Sequence, residues 1–285
     1  MELIRSATLE YFPSASAIEY DNGKLYVLGD DAPHLLILDT NYRLIDTVRF
    51  STDTGYRISK SIKTDIESAA LIRYNNEKYL YALSSFSASN RTNLYYFPLH
   101  QPDSFLVIDY SVLAGMLQNI SSVNIEGLAF MQSKFIMANR ANSTHKNNQI
   151  IITENVLQEN KNSAPLVMDV RLDTTTVKGI SGLYYLEEKD ILFFTASEEN
   201  TPDAISDGTI ADSYVGWIRL FSHKLDDRVL RPDDMVRLST VDKVFGKQKI
   251  ESICIENVKE DEIIIHLVAD NDDGKSSLFK IRLTL

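Results

Sequence analysis

One short phrase returns along this chain at intervals of roughly 50 to 70 residues, and that recurrence constrains the fold more than any other feature. It reads Asp65-Ile66-Glu67-Ser68-Ala69-Ala70, then Asn124-Ile125-Glu126-Gly127-Leu128-Ala129, then Lys249-Ile250-Glu251-Ser252-Ile253-Cys254. Weaker copies stand at Gly179-Ile180-Ser181-Gly182-Leu183-Tyr184 and at Phe12-Pro13-Ser14-Ala15-Ser16-Ala17, the last setting Pro13 against the glutamates. Each phrase opens a run of apolar residues, so a carboxylate returns to one structural position.

The order of events after each phrase also repeats. First strands are expected over 68–74, 127–131, 182–186 and 252–256, each closed by a tight turn. In the opening unit the turn is Asn22-Gly23, a pair that tolerates the positive φ of a two-residue hairpin. Second strands follow over 25–28, 79–83, 135–138, 191–195 and 263–268, and third strands over 35–39, 94–99, 149–153, 216–222 and 277–283. Fourth strands are expected over 46–50, 105–109, 165–172 and 235–240; the last unit lacks one, and residues 3–11 can supply it. Helical periodicity is confined to residues 111–118.

Four antiparallel strands per unit, with the two chain ends completing one unit, is the logic of a β-propeller. The expected fold is all-β: one domain over residues 1–285, five four-stranded blades, the N-terminal strand completing the last. A sixth blade is the alternative; it would have to come from 51–64 or from an insertion over 198–215, and neither carries strand patterning.

In such a blade the start of the first strand and the loop between strands two and three share one face. The loops expected there are long and polar: 30–33, 84–93, 139–148, 197–215 and 270–274. Glu67, Glu126 and Glu251 open onto the same face beside the axis. Converging carboxylates repel unless a cation or proton joins them, and oxygen ligands without thiolates point to calcium before magnesium. The competing reading has these glutamates accept backbone N–H groups of neighbouring blades. Arg91 and Arg140, with Ser85 and Asn142 near them, can hold a phosphate or carboxylate, or can pair with the surrounding acids. Asp30, Glu198 and Asp270 are the candidates to orient an attacking water.

A net charge of −11 argues against nucleic acid, and no apolar run is long enough to span a membrane. Residues 1–5 do not lead into a signal-peptide core, so a cytoplasmic location is expected, with an exported mature form left open. The single cysteine, Cys254, sits in an apolar run and reads as a core residue.

Several segments together carry a family resemblance: Pro13-Ser14-Ala15-Ser16, Gly29-Asp30-Asp31-Ala32-Pro33, Asp65-Ile66-Glu67-Ser68, Ser84-Ser85-Phe86-Ser87, Asn139-Arg140-Ala141-Asn142, Ala196-Ser197-Glu198-Glu199, Lys249-Ile250-Glu251-Ser252 and Ala269-Asp270-Asn271-Asp272-Asp273. In these the chain resembles a family of uncharacterised bacterial β-propellers, distantly similar to the phytase-like esterase propellers. Ala141 stands where that pattern has glycine, after an asparagine-arginine pair in inverted order. A second similarity is architectural: calcium-dependent apyrases are five-bladed, with inner-strand glutamates around a central calcium. The resemblances imply a propeller and a cation at Glu67, Glu126 and Glu251. Two functions follow as expectations: a module binding a small anionic ligand or a protein on the long-loop face, or a metal-dependent hydrolase of phosphate esters or anhydrides, with glycoside cleavage a more remote version.

Overall fold

The computed structural model describes residues 1–142, 145–154, 164–172, 176–200, 209–271 and 274–285. Its strands run β1 (Glu2–Leu9), β2 (Ala15–Asp21), β3 (Lys24–Gly29), β4 (His34–Asp39), β5 (Leu44–Arg49), β6 (Ile66–Tyr74), β7 (Glu77–Ser84), β8 (Asn93–Pro98) and β9 (Leu106–Asp109). After the helix α1 (Ser111–Leu117) come β10 (Ile125–Met131), β11 (Lys134–Asn139), β12 (Asn148–Glu154), β13 (Leu166–Val170), β14 (Gly179–Leu186), β15 (Ile191–Asn200) and β16 (Thr209–Arg219). The last are β17 (Val229–Leu230), β18 (Asp234–Arg237), β19 (Lys249–Lys259), β20 (Glu262–Asp270) and β21 (Ser276–Thr284).

They form five antiparallel blades: β2 to β5, β6 to β9, β10 to β13, β14-β15-β16-β18, and β19-β20-β21-β1. The innermost strands touch in the circular order β2, β6, β10, β14, β19 and back to β2. No sixth blade forms among the described residues. The core is correspondingly five apolar layers, one between each pair of neighbouring blades; Ile66, Leu80 and Phe97 meet Leu28, Leu35 and Val48 in one of them. Period-two alternation in the strands supplies each layer from both sides.

The recurring phrase marks a β-bulge in every blade. Pairing slips past Ser16 in β2, Glu67 in β6, Glu126 in β10, Ser181 in β14 and Glu251 in β19. A bulge leaves one residue out of the ladder and re-aims its side chain. The first blade is thereby corrected: Ser16, not Pro13, is the counterpart of the glutamates.

The residue after each bulge is Ala17, Ser68, Gly127, Gly182 or Ser252, and its smallness has a steric cause. A Cβ on Gly182 would lie 2.8 Å from Ser252 Cα and 2.9 Å from the Glu251 carbonyl oxygen. Backbone hydrogen-bond groups cross the same gaps. The N–H before the bulge donates to the previous blade at Ala15 (Ser276 Oγ, 3.0 Å), Ile125 (Ser85 O, 2.7 Å), Ile180 (Asn148 Oδ1, 2.8 Å) and Ile250 (Ser213 Oγ, 3.1 Å). In the second blade Asp65 N does so one residue earlier, to Asp30 O at 2.8 Å.

The ring is closed by β1, which pairs with β21 from Glu2↔Arg282 to Leu9↔Ser276. A chain of side chains also ties the first blade to the fifth. Tyr42 Oη lies 2.9 Å from His266 Nδ1, and His266 Nε2 lies 2.7 Å from Glu256 Oε2, which Lys280 also reaches at 2.6 Å. Burial holds the His266 pKa below its usual value although Glu256 opposes this.

Two regions differ from the sequence expectation. In the stretch over 198–215, expected as a loop, the described residues extend the β15–β16 hairpin, paired through Ser197↔Ser213 and Asn200↔Thr209; residues 201–208 lie outside the described residues. The segment before β18 sends β17 to pair in parallel with β13, a fifth strand on the third blade.

The close approach at the bulges is testable by a pair of substitutions. Gly182→Ala is expected to destabilise by about 2 kcal/mol or more, because backbone atoms block its Cβ. Gly115→Ala, in α1 with nothing within 4 Å of an added Cβ, should be neutral or stabilising. Urea denaturation of the two variants reads this directly.

Candidate functional site

Each blade presents two positions to the axis on the long-loop face, the bulged residue and the residue two before it, and a third follows the second strand. Residues two apart in a strand share a side. This spacing brings Asn124 Nδ2 to 2.7 Å from Glu126 Oε1 and Lys249 Nζ to 2.9 Å from Glu251 Oε1. It also places Asp65 with Glu67. The third position supplies Asp30 after β3, Ser85 after β7 and Arg140 after β11.

Asp30, Asp65 and Glu67 form the tightest carboxylate group among the described residues: one oxygen from each lies within 4.8 Å of the others. Lys63 pairs with Asp30 and stands 3.1 Å from Asp65 Oδ1. Arg91 Nη1 donates to the other Asp65 oxygen at 2.9 Å and to Ser87 Oγ at 3.2 Å; Ser85 Oγ also donates to Asp65. Asp30 Oδ1 is buried and has no hydrogen-bond partner.

The other two glutamates are engaged differently. Arg140 pairs closely with Glu126 and lies 3.8 Å from Glu251 Oε2. Of the expected three-glutamate ring, only Glu67 therefore belongs to the tight group, while Glu126 and Glu251 share the Arg140 guanidinium and Glu251 also meets Lys249. Arg91 and Arg140 are likewise held by acids, the second of the two alternatives open for them. Asn142 accepts the His145 N–H at 2.7 Å in a turn.

The candidate water-orienting acids fall in separate places. Asp30 is in the axial group. Glu198 sits in the fourth blade, 3.1 Å from Lys178 Nζ and 3.5 Å from Tyr214 Oη, with Lys178 over the Tyr214 ring. Asp270 ends β20 and is buried; Asp272 and Asp273 lie outside the described residues. Trp217 packs on Phe193 in the core.

The electrostatics follow from this count. Asp30, Asp65, Glu67, Glu126 and Glu251 face Lys63, Arg91, Arg140 and Lys249, so ionising all five leaves one negative charge in excess. Burial pushes the Asp30 pKa up to about 6, against the pull of Lys63. Burial, then Asp30 and Asp65, hold Glu67 well above the carboxylate range. Burial raises Glu251 to about 7, opposed first by Lys249.

Sequence reasoning passed over Lys63, and gave Asp65 and Lys249 no role. For the last two the signal was present: each stands two residues before a bulged glutamate.

The chain matches the family of unknown function DUF6929 over residues 11–283. It belongs to that family. As a DUF6929 propeller it has solved structural neighbours at low identity. The glutaminyl cyclase of Myxococcus xanthus superposes with a TM-score of 0.60 at 11% identity, covering 100% of this chain and 97% of that one. A thermostable family-43 glycoside hydrolase gives 0.52 at 11% identity, covering 100% and 92%. These likenesses show the fold. No curated protein sequence matches. Among the described residues no helix is long and apolar enough to cross a membrane.

The raised Asp30 pKa has a sign that can be checked. Folding disfavours its ionised form, so the cost begins as pH rises past the unfolded value near 4 and is complete above about 6. Asp30→Asn is therefore expected to raise Tm relative to wild type at pH 8, with the advantage disappearing near pH 4. Thermal melts across that range measure it.

Proposed function

We propose that this DUF6929 propeller is a ligand-binding module whose axial site on the long-loop face takes a cation at Asp30, Asp65 and Glu67. The observation carrying this reading is the three-carboxylate group with its one buried, unpartnered oxygen on Asp30. Calcium suits the donor set: all oxygen, no thiolate, and flexible in coordination number, where magnesium demands near-octahedral geometry. Asp30, Asp65 and Glu67 would hold the ion, which would neutralise the excess charge and polarise a ligand oxygen. Lys63 already reaches Asp30 and Asp65, so an arriving ion must move its ammonium aside. The small anionic ligand or protein partner expected on this face would then meet the ion and the surrounding loops.

A hydrolytic reading draws on Asp30 and Glu251, which titrate near neutrality and so suit proton transfer. The phosphoesterase version is weakened because Arg91 and Arg140, its anion holders, are committed to Asp65, Glu126 and Glu251. The glycosidase version is weakened because Glu126, Glu251 and Asp30 each stand against a cation.

Thermal unfolding of metal-stripped protein separates these. Calcium at one hundred times Kd is expected to add about 2.7 kcal/mol of stability to wild type. Glu67→Gln should lose most of that gain and Glu126→Gln should keep it. A wild type indifferent to calcium ends the cation proposal; loss in Glu126→Gln alone would return the ion to the ring of bulged glutamates.

A further inference from the structure

The opposite end of the channel holds a second carboxyl in unlike surroundings. Three residues beyond each bulge, about 10 Å along the strand, stand Glu19, Ala70, Ala129, Tyr184 and Cys254. Alanine in the second and third blades leaves space that the other blades do not fill. A cavity of about 80 Å³ results, lined by Glu19, Ala70, Leu71, Ala129, Phe130, Tyr184 and Tyr185.

Glu19 is 3% exposed, and among the described residues no side chain of opposite charge pairs with it. The groups whose charge it influences are the Tyr184 phenol and the Cys254 thiol, both pushed up chiefly by burial and then by Glu19 itself. Burial likewise holds Glu19 well above the carboxylate range, with only the Tyr20 backbone N–H opposing. The lining joins the Glu19 carboxylate and the Tyr184 and Tyr185 side chains to the apolar faces of Ala70, Leu71, Ala129 and Phe130. A ligand with a cationic head for the carboxylate and a short apolar body for the alanines satisfies both halves of the wall.

We infer that the hairpin-side end of the channel, around Glu19, Ala70, Ala129 and Tyr184, is a binding site for a small alkylammonium ion. Binding ionises Glu19 and releases its proton. The apparent affinity therefore rises about tenfold per pH unit while Glu19 is protonated in the free protein. This site is separate from the axial carboxylates of the long-loop face and does not depend on calcium there.

Calorimetric titration with methylammonium chloride at pH 6, 7 and 8, against potassium chloride at equal ionic strength, tests the inference on unmodified protein. The expected result is saturable binding of methylammonium that tightens as pH rises through the Glu19 titration, with none for potassium. Glu19→Gln, nearly isosteric, should abolish binding. Ala129→Val, which narrows the cavity and leaves the carboxyl in place, should weaken it. Absence of methylammonium binding at pH 8, equal binding of potassium, or undiminished binding by Glu19→Gln would each overturn the site. Should Glu19→Gln fail to fold, Ala129→Val still decides, because undiminished methylammonium binding in that variant excludes the cavity.

Discussion

The structure depends on how closely five inner strands approach one another at their bulges. At Gly182 there is no room for a single Cβ against the backbone of the next blade. Such contact requires each N–H that leaves the ladder to find a partner across the gap, and the neighbouring blade supplies one in every case. The bulge also turns one side chain per blade toward the axis. Serine there becomes a staple: Ser16 Oγ donates to Ile66 O, and Ser181 Oγ donates to Ile250 O at 2.6 Å. Glutamate there becomes a charge that must be balanced. One steric arrangement thus generates both the ring and its site.

Charge balance then divides the axis. Arg140 and Lys249 occupy Glu126 and Glu251, and Asn124 takes a further oxygen of Glu126. On the other side, Lys63 and Arg91 serve three carboxylates. Burial first, and then the neighbouring acids, raise the pKa values of Asp30 and Glu67, and one Asp30 oxygen has no donor. A buried carboxylate without full compensation is a standing cost, which a positively charged ligand removes. The binding proposal rests on that cost.

The blades and the axial glutamates were legible because a bulge repeats a local requirement: an acid or hydroxyl to turn inward, then a small residue to let the next blade approach. Pro13 was aligned in place of Ser16 because serine at the bulge leaves no carboxylate to align on. The 198–215 hairpin was read as a loop because its outer part has no partner in β18, whose pairing covers only Tyr214 to Trp217. Apolar alternation is not demanded there. The pairings of Lys63 and Arg140 were not legible at all. Which acid a cation meets depends on which blades become neighbours, and the strand pattern of one blade does not contain that information. Glu19 was equally hidden, since its surroundings come from four different blades.

The central claim is that the axial group has one cation too few and collects it at Asp30, Asp65 and Glu67. A crystal soaked with strontium, a calcium substitute with strong anomalous scattering, examines that claim at atomic level. The account predicts an anomalous peak bounded by oxygens of those three residues, with the Lys63 ammonium displaced from between Asp30 and Asp65. A soaked crystal with no peak at the axis and Lys63 still bridging the two aspartates would contradict it.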